Sequence, residues 1–387
     1  MLAIFVTILI DLLGFGLVIP ILPNFAKSIG ATALEVGIIA GVYSLMNFIF
    51  ANFWGTLSDR IGRRPVILVS VLITAASYVL FGFTSNLFLL FLSRLLAGVG
   101  SANFGAAQAY ISDISTPEER PRAMGMLGAA FGLGFIFGPL VGGLLKVNYG
   151  IEGVGLGAAG LCVFNFVLAW FMLPESIKQK NTHREFKFAP VGDLVRQLQK
   201  PLFRELFIAN FLFVAAFSIM QITSSMLWKD QYELDDAHVG YMFMFIGVAS
   251  ALVQGGLVGR LSKMFSARKL ILYGIGFMTT GLVILPFAPM NYFYVVECIG
   301  LFTISLANGF LTPTLSSTVS RLSPPQESGR ILGLNQSMAS LSRVVGPLLG
   351  GFVYGYHHAF PFIVAALLMM VCLYVMVHFF RDQKHLH

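Results

Sequence analysis

The sequence predicts an all-α membrane protein with twelve transmembrane helices in two related six-helix halves. Composition, the spacing of apolar blocks and internal repetition all point that way. Of the 387 residues, 57% are hydrophobic and 11% charged, against roughly 45–50% and about 25% in soluble chains. So few charges cannot cover so much apolar surface in water, but lipid can. The net charge of +7 does not indicate a nucleic-acid surface, because Lys and Arg are scattered between apolar blocks instead of gathered into one patch. Cys162, Cys298 and Cys372 stand far apart in apolar segments, with no zinc or disulfide spacing.

A bilayer-spanning helix needs about 20 predominantly apolar residues. Such blocks run over 2–23, 36–55, 66–83, 87–114, 125–145, 156–173, 204–227, 239–258, 270–288, 292–318, 333–352 and 360–380. The first lacks a basic leader and an A-x-A site and carries Asp11, so it reads as a retained helix and not a signal peptide. Between the blocks, one set of alternating segments holds twenty Lys and Arg and the other only Lys27, Lys146 and Lys229. The positive-inside rule therefore places both termini in the cytoplasm of a multi-pass protein. The polar stretch after the sixth block divides the chain into an N-terminal bundle (1–175), a cytoplasmic linker (176–203) and a C-terminal bundle with a short tail (204–387). Within the linker, 191–199 has the pattern of an amphipathic surface helix, although a solvated connector has the same composition.

Repetition is the third observation. A shift of 208 residues lays Gly125, Gly138, Pro139, Gly142 and Gly143 on Gly333, Gly346, Pro347, Gly350 and Gly351, and Arg122 on Arg330. A shift of 204 lays Gly55, Leu57, Ser58 and Arg64 on Gly259, Leu261, Ser262 and Arg268. Parallel repeats of this kind are a recurrent transporter architecture.

Four motifs sit on this frame. Gly55-Thr-Leu-Ser-Asp59-Arg60-Ile-Gly62-Arg63-Arg64 joins the second and third blocks. A positive-inside loop explains its arginines but not Asp59 and the glycines. In the fifth block Gly125, Gly134, Gly138, Pro139, Gly142 and Gly143 form a glycine signature whose four-residue spacing bares one helix face for close packing. The expected partner of that face is the second half. The first block contains Leu13-Gly14-x5-Pro20-x2-Pro23, and the fourth Arg94-x3-Gly98-x-Gly100. Together these residues resemble the major facilitator superfamily, specifically its twelve-helix drug:proton antiporters, and bacterial tetracycline efflux proteins most closely. Ala97 replaces a glutamine of the fourth-helix pattern, and Lys263 stands where the second half would repeat Asp59.

The resemblance implies that helices 1, 4, 7 and 10 line a central cavity. Ionisable groups within spans are expensive and are functional candidates by default; here they are Asp11, Arg94, Glu297 and Arg343. Asp11 is the expected proton carrier, with Arg94 modulating it and Glu297 the alternative. Counting 100° per residue groups Arg94, Ser101, Gly105 and Gln108 on one face, Glu297, Asn308 and Thr312 on another, and Asn210, Phe213, Phe217 and Gln221 on a third. Such stripes serve as cavity lining or as interhelical glue. By resemblance, Asp59, Arg63 and Asp113 form an inner gate latch.

The leading function is secondary export of small apolar or amphipathic compounds by proton antiport from a bacterial cytoplasmic membrane, with no cofactor beyond the proton gradient, acting as a monomer. Export or uptake of a metabolite, sugar or siderophore by the same fold is the alternative, and a non-transporting receptor or scaffold belongs to a different class. No G-x4-G-K-[ST], H-E-x-x-H or G-x-S-x-G motif occurs, so neither ATP-driven pumping by this chain nor those hydrolytic chemistries find support.

Overall fold

The computed structural model describes residues 2–116, 120–177, 191–324 and 327–382. Within them the chain is helical with no strand. The first half comprises α1 (Leu2–Val18), α2 (Leu22–Ser28), α3 (Ala33–Ile61), α4 (Arg63–Gly82), α5 (Leu87–Gly100), α6 (Phe104–Ile114) and α7 (Arg120–Met172). After α8 (Val191–Leu198) come α9 (Pro201–Tyr232), α10 (Asp236–Leu252), α11 (Val258–Met264), α12 (Ala267–Ile284), α13 (Phe293–Leu322), α14 (Ser328–Tyr354) and α15 (Phe360–Asp382).

Nine helices among the described residues are long and apolar enough to cross a membrane. The sequence-based blocks differ from these in three places. The fifth and sixth fall in the single element α7, broken at Gly150, whose φ of 66° and ψ of −165° leave the helical region; a glycine adopts that conformation without a Cβ clash. The eighth ends early, because α10 passes through a π turn, Val253–Leu257, into α11. The eleventh, α14, is 27 residues long but carries Arg330, Asn335, Gln336 and Arg343, which lower its apolarity. Residues 178–190 of the expected linker lie outside the described ones. Beyond them α8 is helical, burying Leu194 and exposing Val191 and Val195, and Asp193 pairs with Arg330 at 2.7 Å.

The chain forms two compact units. Unit 1 contains Met1–Ala31, Val42–Ala189 and Leu234–Met244; unit 2 contains Thr32–Gly41, Pro190–Glu233 and Phe245–His387. Each therefore includes a short stretch from the opposite half of the sequence.

The glycine signature explains the packing in unit 1, with a correction. The Gly134, Gly138 and Gly142 face of α7 packs on α1 of its own half and not on the second half. A Cβ at Gly138 would lie 2.6 Å from the Cα of Gly16, one at Gly134 would lie 2.8 Å from the Cβ of Leu12, and one at Gly142 would strike the carbonyl of Leu17. The expectation failed because one sequence shows which face is bare but not which helix fills it. The neighbouring positions of the signature meet the start of α10: Gly143 at Asp236 and Ala237, and the Pro139 carbonyl at Gly240. Unit 2 uses the matching residues in the same way: Gly346 and Gly350 lie against Ala215 and Ile219 of α9, while Gly351 meets Ala33 at the start of α3. In lipid, where apolar surface gains nothing by leaving the solvent, such close approach is a main source of helix association. Gly125 lies near the start of α7, and its surroundings fall outside the described residues.

At the start of α10, Asp235 caps the helix. Its carbonyl accepts from Val239 N at 3.0 Å, and its carboxylate accepts from His238 N at 2.8 Å. The backbone bond from His238 holds the Asp235 carboxyl below its ordinary range.

Two predictions follow from these contacts. Gly138→Ala forces backbone apart and should cost about 1–3 kcal/mol by overpacking, read as a lower melting temperature in detergent. Gly132→Ala, where an added Cβ meets nothing within 4 Å, should be neutral or slightly stabilising. Asp235→Ala should cost about 1 kcal/mol at neutral pH, as loss of a cap does. Because the folded-state carboxyl titrates lower than the unfolded one, its contribution is full above the unfolded value and disappears as pH falls through the folded one. The melting curves of wild type and variant should therefore converge in acid.

Candidate functional site

Two polar clusters are built inside unit 1. The first lies where α3 turns into α4. Gly62 takes φ 123°, the left-handed region suited to glycine, and its turn brings Arg63 and Arg64 to the first positions of α4. Arg63 is nearly buried and central: it pairs with Asp59, its Nε lies 3.2 Å from Asp113 Oδ2, and its Nη1 donates to Ser58 Oγ at 2.6 Å. Asp59, Arg63 and Asp113 are thus brought together. Arg60 is half-buried and Gly55 has open space beside it. The surroundings of Lys263, the second-half counterpart of Asp59, lie outside the described residues.

The cluster also draws in residues that sequence reasoning missed. Glu175, just beyond α7, accepts the backbone N–H of Arg63 at 2.9 Å and that of Arg64 at 3.3 Å. It thereby satisfies orphan donors of the α4 N-terminus, where the helix dipole also favours a carboxylate. A side chain at Gly62 would strike it. Ser176 Oγ donates to Asp113 Oδ2 at 2.9 Å, and Tyr110 donates to Pro174 O at 2.9 Å. Arg64 reaches Trp170 through both its carbonyl, at 2.6 Å, and its ring, at 5.4 Å. Pro174-Glu175-Ser176 was legible only as the end of an apolar block followed by polar residues.

The second cluster surrounds Asp11 in α1. Asn165 of α7 donates through Nδ2 to Asp11 Oδ1 and to the Thr7 carbonyl, both at 3.0 Å. Asn103 stands near Asp11 and donates to Ser70 Oγ at 2.6 Å. Neither asparagine was singled out from the sequence, because an amide in an apolar block is ambiguous until its partner is known. Arg94 does not pair with Asp11. Its guanidinium lies 4.8 Å from the ring centre of Phe81 and 5.7 Å from that of Tyr78. The expected stripe from Arg94 to Gln108 is interrupted by a 3₁₀ turn, Ser101–Asn103, whose tighter winding breaks the 100° count. Gly105 and Gln108 are exposed while Arg94 is buried.

Unit 2 distributes the remaining candidates. Glu297 in α13 is 0% exposed, near the fully buried Trp228, and neither of its carboxylate oxygens meets a hydrogen-bond donor among the described residues. Further along α13, Asn308 is half-buried and accepts at 2.8 Å from exposed Thr312. In α9, Asn210 donates to the Asn335 carbonyl of α14 at 3.1 Å, an interhelical bond, and Phe213 is buried. Phe217 and Gln221 are half-buried, and Arg343 is exposed.

Comparison with known proteins agrees with this architecture. The model of the Major Facilitator Superfamily matches residues 4–347 and 257–387. A class C tetracycline resistance protein from Escherichia coli is 30% identical over 382 residues, covering 95% of this chain and 93% of the relative. Multidrug resistance protein 2 of Bacillus subtilis (strain 168) is 28% identical, covering 94% and 91%. Among solved structures, a bacterial homologue of the human lysosomal transporter Spinster superposes with a TM-score of 0.78 at 13% identity, covering 100% of this chain and 97% of that one.

If Glu175 holds the α4 terminus, Glu175→Ala should destabilise the protein by about 1–2 kcal/mol, the scale of a lost cap with charge-assisted bonds. Glu175→Gln, which keeps an acceptor, should cost roughly half as much. Wild-type melting of Glu175→Ala would remove the residue from the cluster's design.

Proposed function

The chain belongs to the major facilitator superfamily, and on that premise we propose that it exports small apolar or amphipathic compounds in exchange for protons. Its relatives include proteins named for tetracycline and multidrug resistance, and its fold is that of membrane transporters. The observation that carries the coupling step is Asp11: a carboxyl inside a membrane helix, held by the amide of Asn165 and, among the described residues, in contact with no cation. An amide donor fixes its position without neutralising it, so a proton remains the natural counter-charge.

In this reading the chain crosses a bacterial cytoplasmic membrane twelve times, with both termini inside. Dividing α7 at Gly150 and adding α10 and α14 to the other apolar helices supplies that number. Bundles 1–175 and 204–387, joined by the 176–203 linker, alternate access to a central site. Matched contacts of Gly138 and Gly346, and of Gly143 and Gly351, support treating the bundles as repeats. Asp11 loads a proton from one side and releases it on the other. Arg94 sets the surrounding potential, and the Asp59–Arg63–Asp113 cluster latches the inner end. Substrate meets side chains such as Gln108, Phe217, Gln221, Asn308, Thr312 and Arg343, whereas Asn210 bonds α9 to α14 and Phe213 is buried. The proton gradient is the energy source, and one chain is the working unit.

Reconstituted vesicles test this directly. Asp11→Asn should abolish substrate efflux driven by an imposed pH gradient while leaving downhill exchange measurable. Gradient-driven efflux that survives in Asp11→Asn but is lost in Glu297→Gln would move the coupling site to unit 2.

A further inference from the structure

Arg94 is only 4% exposed, and its Nε and Nη2 are buried without a hydrogen-bond acceptor. Among the described residues it forms no ion pair. Phe81 and Tyr78 offer their ring faces, which attract the charge, but those faces do not replace in-plane acceptors for a guanidinium fork. Asp11 is committed elsewhere, to Asn165. Tyr78 is within electrostatic reach of both charged groups. Donors left unmatched in a protein interior cost about 1–3 kcal/mol each, and Arg is the side chain whose planar fork matches a carboxylate or similar oxyanion.

Next to this cation unit 1 carries an aromatic surface. Tyr43 of α3 packs on α5 one turn from Arg94, where a Cβ at Gly98 would strike its carbonyl. Its ring stacks on Phe15 of α1 at 5.2 Å and 29°, and Phe15 meets Phe135 of α7 edge-on at 6.2 Å and 78°. All three rings are half-buried and keep open area, unlike Phe81, which is fully enclosed.

We infer that unit 1 holds a subsite for a flat aromatic anion, with Arg94 receiving the oxyanion and Phe15, Tyr43 and Phe135 receiving the ring. The inference rests on the transport reading and narrows its substrate class from amphipathic compounds to aromatic ones bearing a carboxylate or equivalent group. The charge is matched by a guanidinium that no internal acid occupies. The ring is matched by side chains from three separate helices, so binding would also depend on their spacing.

The test is calorimetric titration of the full-length protein in detergent with naphthalene-2-carboxylate and with the neutral, nearly isosteric naphthalene-2-carboxamide. Wild type should bind the carboxylate about tenfold or more tightly than the amide, the scale of a charge-assisted bond. Arg94→Gln should bring the ratio to about one without changing amide affinity, and Phe15→Ala should weaken both ligands. Equal affinities in wild type, a preference retained in Arg94→Gln, or no binding of either compound at millimolar concentration each overturn the subsite. If Arg94→Gln does not fold, the wild-type ratio and Phe15→Ala still decide, since neither needs that variant. The titration involves no gradient, so its failure is distinguishable from a failure of Asp11-dependent efflux in vesicles.

Discussion

The architecture of both units depends on one contact geometry, the approach of helix backbones through positions that have no side chain. In water, burial of apolar surface would bring helices together regardless of fine detail. In a bilayer that drive is absent between helices, and van der Waals contact at short range takes its place. The face of α7 carrying Gly134, Gly138 and Gly142 brings α1 close enough to place Asp11 beside Asn165. With bulkier residues on that face the two would be held apart, and the 3.0 Å bond would not form. The polar cluster therefore depends on apolar packing one to several turns away.

The same logic explains how polar groups are tolerated inside unit 1. Each is given a defined partner: Asp11 has the Asn165 amide, Asn103 has Ser70, and Arg63 has two carboxylates and a hydroxyl. A buried charge without such partners costs several kcal/mol. Arg94 stands apart because its compensation comes from ring faces. That contrast within one helical bundle separates residues that hold the structure from a residue kept ready for something else.

Much of this was legible in the sequence. Length and hydropathy located the helices, and the loop signature brought Asp59 and Arg63 into view. Glycine spacing in α7 showed that one face is bare. What the sequence did not show was the partner across that face, because the fit to Leu12, Gly16 and Leu17 depends on crossing geometry that no local pattern records. Glu175 was missed for a related reason. Its acceptors' targets are backbone N–H groups more than a hundred positions away, and backbone donors carry no residue-specific mark. The 3₁₀ turn between α5 and α6 changes the winding over three residues, which the spacing of the stripe does not record.

The pinned ends of the connector set a mechanical limit. On one side Glu175 and Ser176 are tied to α4 and α6; on the other, Asp193 is tied to Arg330 of α14. Between Ile177 and Val191 run fourteen Cα–Cα steps, which span at most about 50 Å fully stretched at roughly 3.3–3.6 Å each. With a tie at each end, that contour length is measured between two anchored points. Breaking either tie lengthens the connector without adding a residue.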